Sequence, residues 1–117
     1  MSALSHFAKD TRPWGSFDRF TLNEKSTVKI ITVSPDEAFS LQTHEHRQEF
    51  WRILKGTGDI TVGNEVHHGK EGDEFFIETQ TKHRAQAGKD GLQFLEIAFG
   101  EFDEGDITRL EDNYGRR

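Results

Sequence analysis

The sequence predicts an all-β domain, a sandwich or closed barrel of short strands, and three observations support this prediction. Apolar and polar residues alternate with a period of two over most of the 117 residues, as in strands with one buried face. Eleven glycines and ten phenylalanines, with a single methionine, are more typical of a turn-rich β protein than of a helical bundle. No segment shows a long helical period. The length indicates one domain over 1–117, with an N-terminal extension at 1–15 and a C-terminal tail at 101–117.

The predicted strands are short and are separated by glycine-rich turns. The turn segments include SPDE at 34–37, KGTG at 55–58 and GKDG at 88–91. Residues 1–15 are expected to run over the surface, and residues 104–117 to hold one helical turn at most. The predicted strands are, in order, STVKIITVS (26–34), EFWRILKG (49–56), GDITVGNEVHH (58–68), DEFFIET (73–79), KHRAQA (82–87) and LQFLEIAFG (92–100).

Composition excludes several classes of function. The net charge of −6 argues against nucleic-acid and membrane partners, so an anionic substrate would need a local basic cluster. The absence of cysteine excludes disulfides and thiolate chemistry. No apolar run is long enough to span a membrane, and the N-terminus lacks the apolar core of a signal peptide. We therefore expect a cytoplasmic protein.

Alternation also predicts an inward-facing carboxylate. On the strand 49–56, Glu49 shares a face with Trp51 and Ile53, which are expected in the core. A carboxylate inside a β-barrel is costly unless it is paired. A metal ion held by His44 and His46, which would share a face on an extended segment, provides such a partner.

A further histidine, His83, lies near the start of a later predicted strand. Three neutral imidazoles and one carboxylate suit several divalent metals. We expect one ion, with zinc as the first expectation and manganese, iron, cobalt and nickel as alternatives.

The spacing of these residues resembles the two motifs of the cupin superfamily. His44, His46 and Glu49 followed by Gly56 resemble the first motif, and the segment from Gly72 to Ala87 resembles the second. This resemblance implies a double-stranded β-helix, or jelly roll, and a metal quartet of His44, His46, Glu49 and His83.

Longer segments resemble one branch, the type II mannose-6-phosphate isomerase domain. They are RPWGSFD at 12–18, the stretch from VKIITV to GNE at 28–65, and GDITRLEDNYGR at 105–116. That domain occurs as the C-terminal part of bifunctional mannose-1-phosphate guanylyltransferase/mannose-6-phosphate isomerase. The resemblance implies interconversion of mannose 6-phosphate and fructose 6-phosphate, or of a close phosphosugar. It implies no nucleotidyltransferase activity for these 117 residues.

The implied reaction needs a base for a C–H proton and cations for the substrate phosphate. Glu78 and Lys82, beside His83, are candidate bases, and a metal-bound hydroxide is an alternative. Arg12, Arg84 and Arg116 match family positions and are candidates for phosphate binding or active-site electrostatics.

The sequence departs from the family pattern near these residues. The alternatives are therefore a non-catalytic sugar-binding cupin, an Fe(II) oxygenase and a nucleotide-sugar isomerase. The departures are Glu78 for proline, Gln80 and Asp36 for glycine, Ala87 for asparagine, and Glu45 and Phe50 for histidine.

The sequence also predicts a homodimer. Phe50, Arg52 and Leu54 are expected on the outer face of their strand, where an apolar patch would favour association of two copies.

Overall fold

The computed structural model describes residues 4–111, and all regular secondary structure in this range is β-strand. This agrees with the all-β prediction. No helix among residues 4–111 is long and apolar enough to cross a membrane. The strands are β1 (Ala8–Arg12), β2 (Gly15–Arg19), β3 (Ser26–Val33), β4 (Leu41–Thr43), β5 (Gln48–Val62), β6 (Glu65–Gly69), β7 (Glu74–Ile77), β8 (His83–Phe99) and β9 (Thr108–Glu111).

Two long antiparallel strands, β5 and β8, form the centre of a seven-stranded sheet. Each merges two predicted strands, because the glycine segments expected as turns are accommodated within continuous strands. Register shifts near Ile53 and Gly56 bend β5. Gly56 has a φ of +81°, and a Cβ there would overlap the carbonyl oxygen of Gly91, so only glycine fits.

The strands beside β8 bring distant segments to one end of the sheet. Gln42 in β4 lies opposite His83, the first residue of β8. On its other side, Gln42 lies opposite Arg109 in β9. The residues next to β4 therefore meet both the start of β8 and the strand from the tail.

The main core lies against the inner faces of β5 and β8. Trp51, Ile53 and Phe94 are almost completely buried there. Glu49 is only 1% exposed on the same face, so the predicted inward carboxylate is confirmed. Burial of these aromatic and branched side chains provides the hydrophobic stabilisation of the sheet.

The outer face of β5 is covered by the N-terminal part of the chain. β1 and β2 form an antiparallel hairpin, so part of the expected N-terminal extension is regular β-structure. Leu4, Phe7 and Phe20 pack with Phe50, whose exposed fraction is 1%. The prediction that Phe50 contributes to an exposed apolar patch is wrong, because the chain covers this residue itself.

Candidate metal centre

Three of the four predicted metal ligands meet in the interior. His44, Glu49 and His83 are buried, and one potential ligand atom from each lies within 4.8 Å of the others. His44 follows β4, Glu49 lies in β5, and His83 begins β8. The pairing of β4 with β8 brings the imidazole ring centroids to 4.9 Å. We call these three residues the ligand trio.

Backbone carbonyls orient both imidazoles. Nδ1 of His44 lies 2.6 Å from the carbonyl oxygen of Asp106, and Nδ1 of His83 lies 2.8 Å from that of Thr81. Because a carbonyl oxygen only accepts hydrogen bonds, each Nδ1 carries a proton, and the neutral form of each imidazole then has its lone pair on Nε2. These Nε2 atoms lie 3.4 and 3.7 Å from the Glu49 carboxylate. This arrangement is typical of histidine ligands held by an outer hydrogen bond.

The charge states also favour a metal ligand set. Burial lowers the pKa of His83, against the opposing effect of Glu49, so this imidazole is held neutral. Burial alone would raise the pKa of Glu49, but His83, Arg47 and His44 together lower it. Within residues 4–111, Nε2 of His83 is buried and has no hydrogen-bond partner. A buried lone pair without a donor is costly, and a divalent ion bound to it would remove that cost.

The structure does not bring His46 to the ligand trio. The chain bends at Glu45 and His46, and both backbone amides donate to the carboxylate of Asp106, at 2.8 and 3.0 Å. The bend ends the alternation that would have placed His46 beside His44, and His46 is exposed. The fourth ligand expected from the cupin resemblance therefore lies outside the group.

Arg47 lies inside instead of His46. Its side chain is 8% exposed, and its Nε donates to Glu49 Oε2 at 2.9 Å. Its Nη2 lies 3.2 Å from Nε2 of His44. From the other side, Trp51 Nε1 donates to Glu49 Oε1 at 3.1 Å. The guanidinium and the indole thus fix the carboxylate of the ligand trio.

A second buried carboxyl, Glu96, lies beside Glu49. Burial, followed by the charge of Glu49, raises the pKa of Glu96 to about 7. The sequence analysis did not identify this residue. Alternation along β8 would have indicated it, because Glu96 shares the buried face of Phe94 and Ala98.

A pocket of about 280 Å³ opens next to the ligand trio, and we call it the basic pocket. His44 and Arg47 belong to its wall, together with Lys29, Arg109 and Glu104. Within the described range, Nε of Arg109 is buried without a hydrogen-bond partner. The pocket therefore provides cationic groups on one side of the trio.

Comparison with known proteins assigns the family. The sequence model described as "Mannose-6-phosphate isomerase C-terminal" matches residues 2–112. The chain belongs to this family. The relationship predicted from the cupin motifs is thereby confirmed.

The relatives of this chain include much longer proteins. Xanthan biosynthesis protein XanB of Xanthomonas campestris is 40% identical over 107 residues, which are 90% of this chain and 23% of XanB. Mannose-1-phosphate guanylyltransferase ManC of Salmonella typhimurium is 38% identical over 90% of this chain and 22% of ManC. Alginate biosynthesis protein AlgA of Pseudomonas aeruginosa is 40% identical, with the same two coverages as ManC. The chain thus spans less than a quarter of the relatives' length.

Comparison with solved structures shows the fold of this chain. A Klebsiella pneumoniae protein with a double-stranded β-helix domain has a TM-score of 0.65 and 22% identity, with 78% of each chain covered. Oxalate decarboxylase from Bacillus subtilis has a TM-score of 0.67 and 22% identity, over 74% of this chain and 24% of that one. The predicted cupin double-stranded β-helix is confirmed.

Two departures from the family pattern occur on left-handed backbone. Asp36 and Gln80 have φ values of 61° and 63°, which explains why glycine is usual at both positions. Gln80 still contributes to the site, because its amide donates to the carbonyl of His44 at 2.7 Å. Its side chain also donates to Glu45 at 2.9 Å.

Two of the three expected substrate-binding arginines lie away from the basic pocket. Arg12 is on the β1–β2 hairpin and pairs with Asp10 at 2.7 Å. Arg84 follows His83 in β8, and its Nη2 lies 3.5 Å from Glu111. Neither residue belongs to the pocket wall. Arg116 lies outside the described residues.

The two expected bases are close to His83 in sequence. Glu78 is exposed and accepts a hydrogen bond from Gln48 at 2.7 Å. Lys82 is half-buried, and its carbonyl accepts from the amide of Gly63 at 2.8 Å. Neither side chain belongs to the wall of the basic pocket.

Proposed function

We propose that this chain is a metal-dependent isomerase that interconverts mannose 6-phosphate and fructose 6-phosphate, or a closely related phosphosugar. The observation that carries the proposal is the convergence of His44, Glu49 and His83 beside a pocket with cationic walls. Membership of the mannose-6-phosphate isomerase C-terminal family supports the same reaction. The guanylyltransferase activity in the name of ManC is not part of the proposal.

The residues that would hold the ion are His44 and His83 through Nε2 and Glu49 through its carboxylate. A bound divalent cation would stabilise negative charge on the sugar oxygens as the C–H proton leaves. Arg47 and Trp51 keep the Glu49 carboxylate in place, and the carbonyls of Asp106 and Thr81 keep the imidazoles in the required tautomer. We propose zinc first, but two histidines and one carboxylate suit both catalytic zinc and non-haem iron(II).

Transfer of a proton from one sugar carbon to the next needs a base. We retain Glu78 and Lys82 as candidates, since both precede His83 on the segment between β7 and β8. A group that transfers this proton should affect kcat more than KM. Glu78→Gln and Lys82→Met, assayed separately, identify the base by which of the two lowers kcat.

The test is a coupled assay for conversion of mannose 6-phosphate to fructose 6-phosphate. Protein treated with chelator should be inactive, and a defined divalent metal should restore turnover. Absence of turnover with each of zinc, manganese, iron(II), cobalt and nickel would refute the proposed isomerase activity. Metal analysis and an oxygen-uptake measurement on the same preparation would identify an iron oxygenase instead.

One observation favours a second candidate, a sugar-binding cupin without catalysis. Nη2 of Arg47 lies 3.2 Å from Nε2 of His44, where it competes with a metal for that lone pair. If Arg47 takes the place of the ion, the protein should bind phosphosugar equally well with and without chelator and show no turnover.

The homodimer and the absence of nucleic-acid and membrane partners stay predictions.

A further inference from the structure

Three cationic side chains line the basic pocket, but they differ in what they already contact. Lys29 Nζ lies 3.3 Å from Glu104 and 4.2 Å from the ring centroid of Phe102. Arg47 donates to Glu49 and to the carbonyl of Asp103. Both groups therefore have protein partners.

Arg109 is different. Its Nε is buried without a hydrogen-bond partner, and its guanidinium has no ion pair with any residue from 4 to 111. A buried donor without an acceptor destabilises a folded protein, because the donor has lost its hydrogen bond to water. A fold that accepts this cost at a pocket wall leaves the donor free for a ligand.

The strand pairing places Arg109 close to the ligand trio. Arg109 lies in β9 directly opposite Gln42 in β4, and His44 follows two residues later. Gln42 and His44 both belong to the same pocket wall. One small molecule in the pocket would therefore contact Arg109 at one end and approach His44 at the other.

We propose that Arg109, assisted by Lys29, binds the phosphate group of the phosphosugar, an inference that rests on the proposed function. A guanidinium offers several donors in a planar fork that matches phosphate oxygens. The local cations also overcome the repulsion of an anion by a chain of net charge −6. The volume of about 280 Å³ is near the lower limit for small-molecule sites, which favours a single phosphosugar over a nucleotide-linked sugar.

Glu104 opposes this binding. Its carboxylate belongs to the pocket wall and pairs with Lys29. An incoming phosphate must compete with it for the ammonium group. Neutralising Glu104 should therefore strengthen phosphate binding, whereas neutralising Arg109 should weaken it.

The test measures binding rather than turnover. Calorimetric titrations of the full chain with chelator present compare mannose 6-phosphate, inorganic phosphate and mannose. The wild-type protein should bind the first two in preference to mannose. Arg109→Gln should weaken mannose 6-phosphate binding by about tenfold or more, the expected loss of one charge-assisted contact. Glu104→Gln should tighten it by a few-fold.

Arg52→Gln is the matched control, because Arg52 is a half-buried arginine paired with Asp18 and Glu74 outside the pocket wall. It should change the dissociation constant by less than about twofold. Equal losses for Arg52→Gln and Arg109→Gln, or unchanged binding by Arg109→Gln, would overturn the assignment. If Arg109→Gln does not fold, Lys29→Gln and Arg109→Lys decide, and wild-type binding by both would overturn it.

The results separate this inference from the proposed function. If the wild-type protein binds phosphate selectively, loses this binding in Arg109→Gln and has no isomerase activity, the phosphate site is supported and the isomerase is refuted. Metal-dependent isomerisation with an unchanged KM in Arg109→Gln supports the isomerase and refutes the phosphate site.

Discussion

The carbonyl oxygen of Asp106 lies 2.6 Å from Nδ1 of His44, and the carboxylate of the same residue accepts the amides that follow His44 in the chain. Asp106 belongs to the segment that precedes β9, more than 60 residues after β4. One residue of the tail therefore sets both the tautomer of a ligand and the bend that excludes His46. The tail is part of the candidate metal centre.

Removing the Asp106 carboxylate should destabilise the bend. Asp106→Ala should lower the free energy of unfolding by about 1 kcal/mol, because two amides lose their acceptor in a half-exposed place. It should also weaken metal binding, since the position of His44 is less well defined. Urea unfolding and metal titration check this. Asp103→Ala is the control, because the Asp103 carboxylate accepts the nearby amide of Gly105, whereas its backbone carbonyl, which accepts from Arg47, is kept in the variant. It should leave metal affinity unchanged.

The Asp106 interaction should also disappear in acid. The amide of Glu45, against a small effect of burial, lowers the pKa of Asp106 below its ordinary 3.8. A lowered carboxyl pKa stabilises the fold above the ordinary value and loses that effect as the pH falls through the folded pKa. The stability difference between wild type and Asp106→Asn should therefore be present at pH 6 and shrink below about pH 4. A difference that stays constant down to pH 2 contradicts this.

Metal content should depend on His83 and not on His46. His83→Ala removes a buried ligand atom of the trio and should abolish stoichiometric metal binding. His46→Ala changes an exposed side chain of the same type and should retain the ion. Elemental analysis after gel filtration measures both. Loss of metal in His46→Ala would show that the bend rearranges when the ion binds.

Glu96 should make the metal-free protein less stable as the pH rises. Its pKa is about 7 in the fold against an ordinary 4.5, so the folded state holds a proton that the unfolded chain releases. This stabilisation is fully present below pH 4.5 and is lost as the pH rises through about 7. Burial and the charge of Glu49 raise the pKa of Glu96, while Lys29 and Arg47 lower it.

Glu96→Gln should remove that dependence. Between pH 5 and pH 8 the variant should gain up to about 3 kcal/mol relative to wild type, the equivalent of the pKa difference. Unfolding in urea with chelator present measures the gain at each pH. Parallel pH profiles for the two proteins would show that Glu96 ionises normally.

The bend of β5 should depend on Gly56. Gly56→Ala combines a left-handed backbone with a collision against the Gly91 carbonyl, and should destabilise the fold by more than about 2 kcal/mol. Gly100→Ala is the matched control, because Gly100 has a φ of +86° but nothing lies within 4 Å of a Cβ added there. It should cost only about 1 kcal/mol. Similar melting temperatures for the two variants would show that the Gly91 carbonyl moves aside.

The amino-acid sequence was enough to predict the β architecture, the family and all three residues of the buried trio. Alternation placed Glu49 with Trp51 and Ile53, and the structure buries all three. Alternation depends only on neighbouring residues, so it is readable wherever the strand is regular. The cupin spacing added His44 and His83, which lie on segments that pair in the sheet.

The surroundings of these ligands depend on tertiary contacts that the sequence pattern does not predict. The fold put Arg47 rather than His46 inside, because a carboxylate from the distant tail bends the chain after His44. It buried Phe50 beneath side chains that flank the N-terminal hairpin, and it put Arg109, rather than Arg12 or Arg84, in the wall of the basic pocket. Each of these outcomes depends on contacts between segments far apart in the chain. The alternation of apolar and polar residues within one segment does not predict such contacts, since their energy arises only when the segments meet.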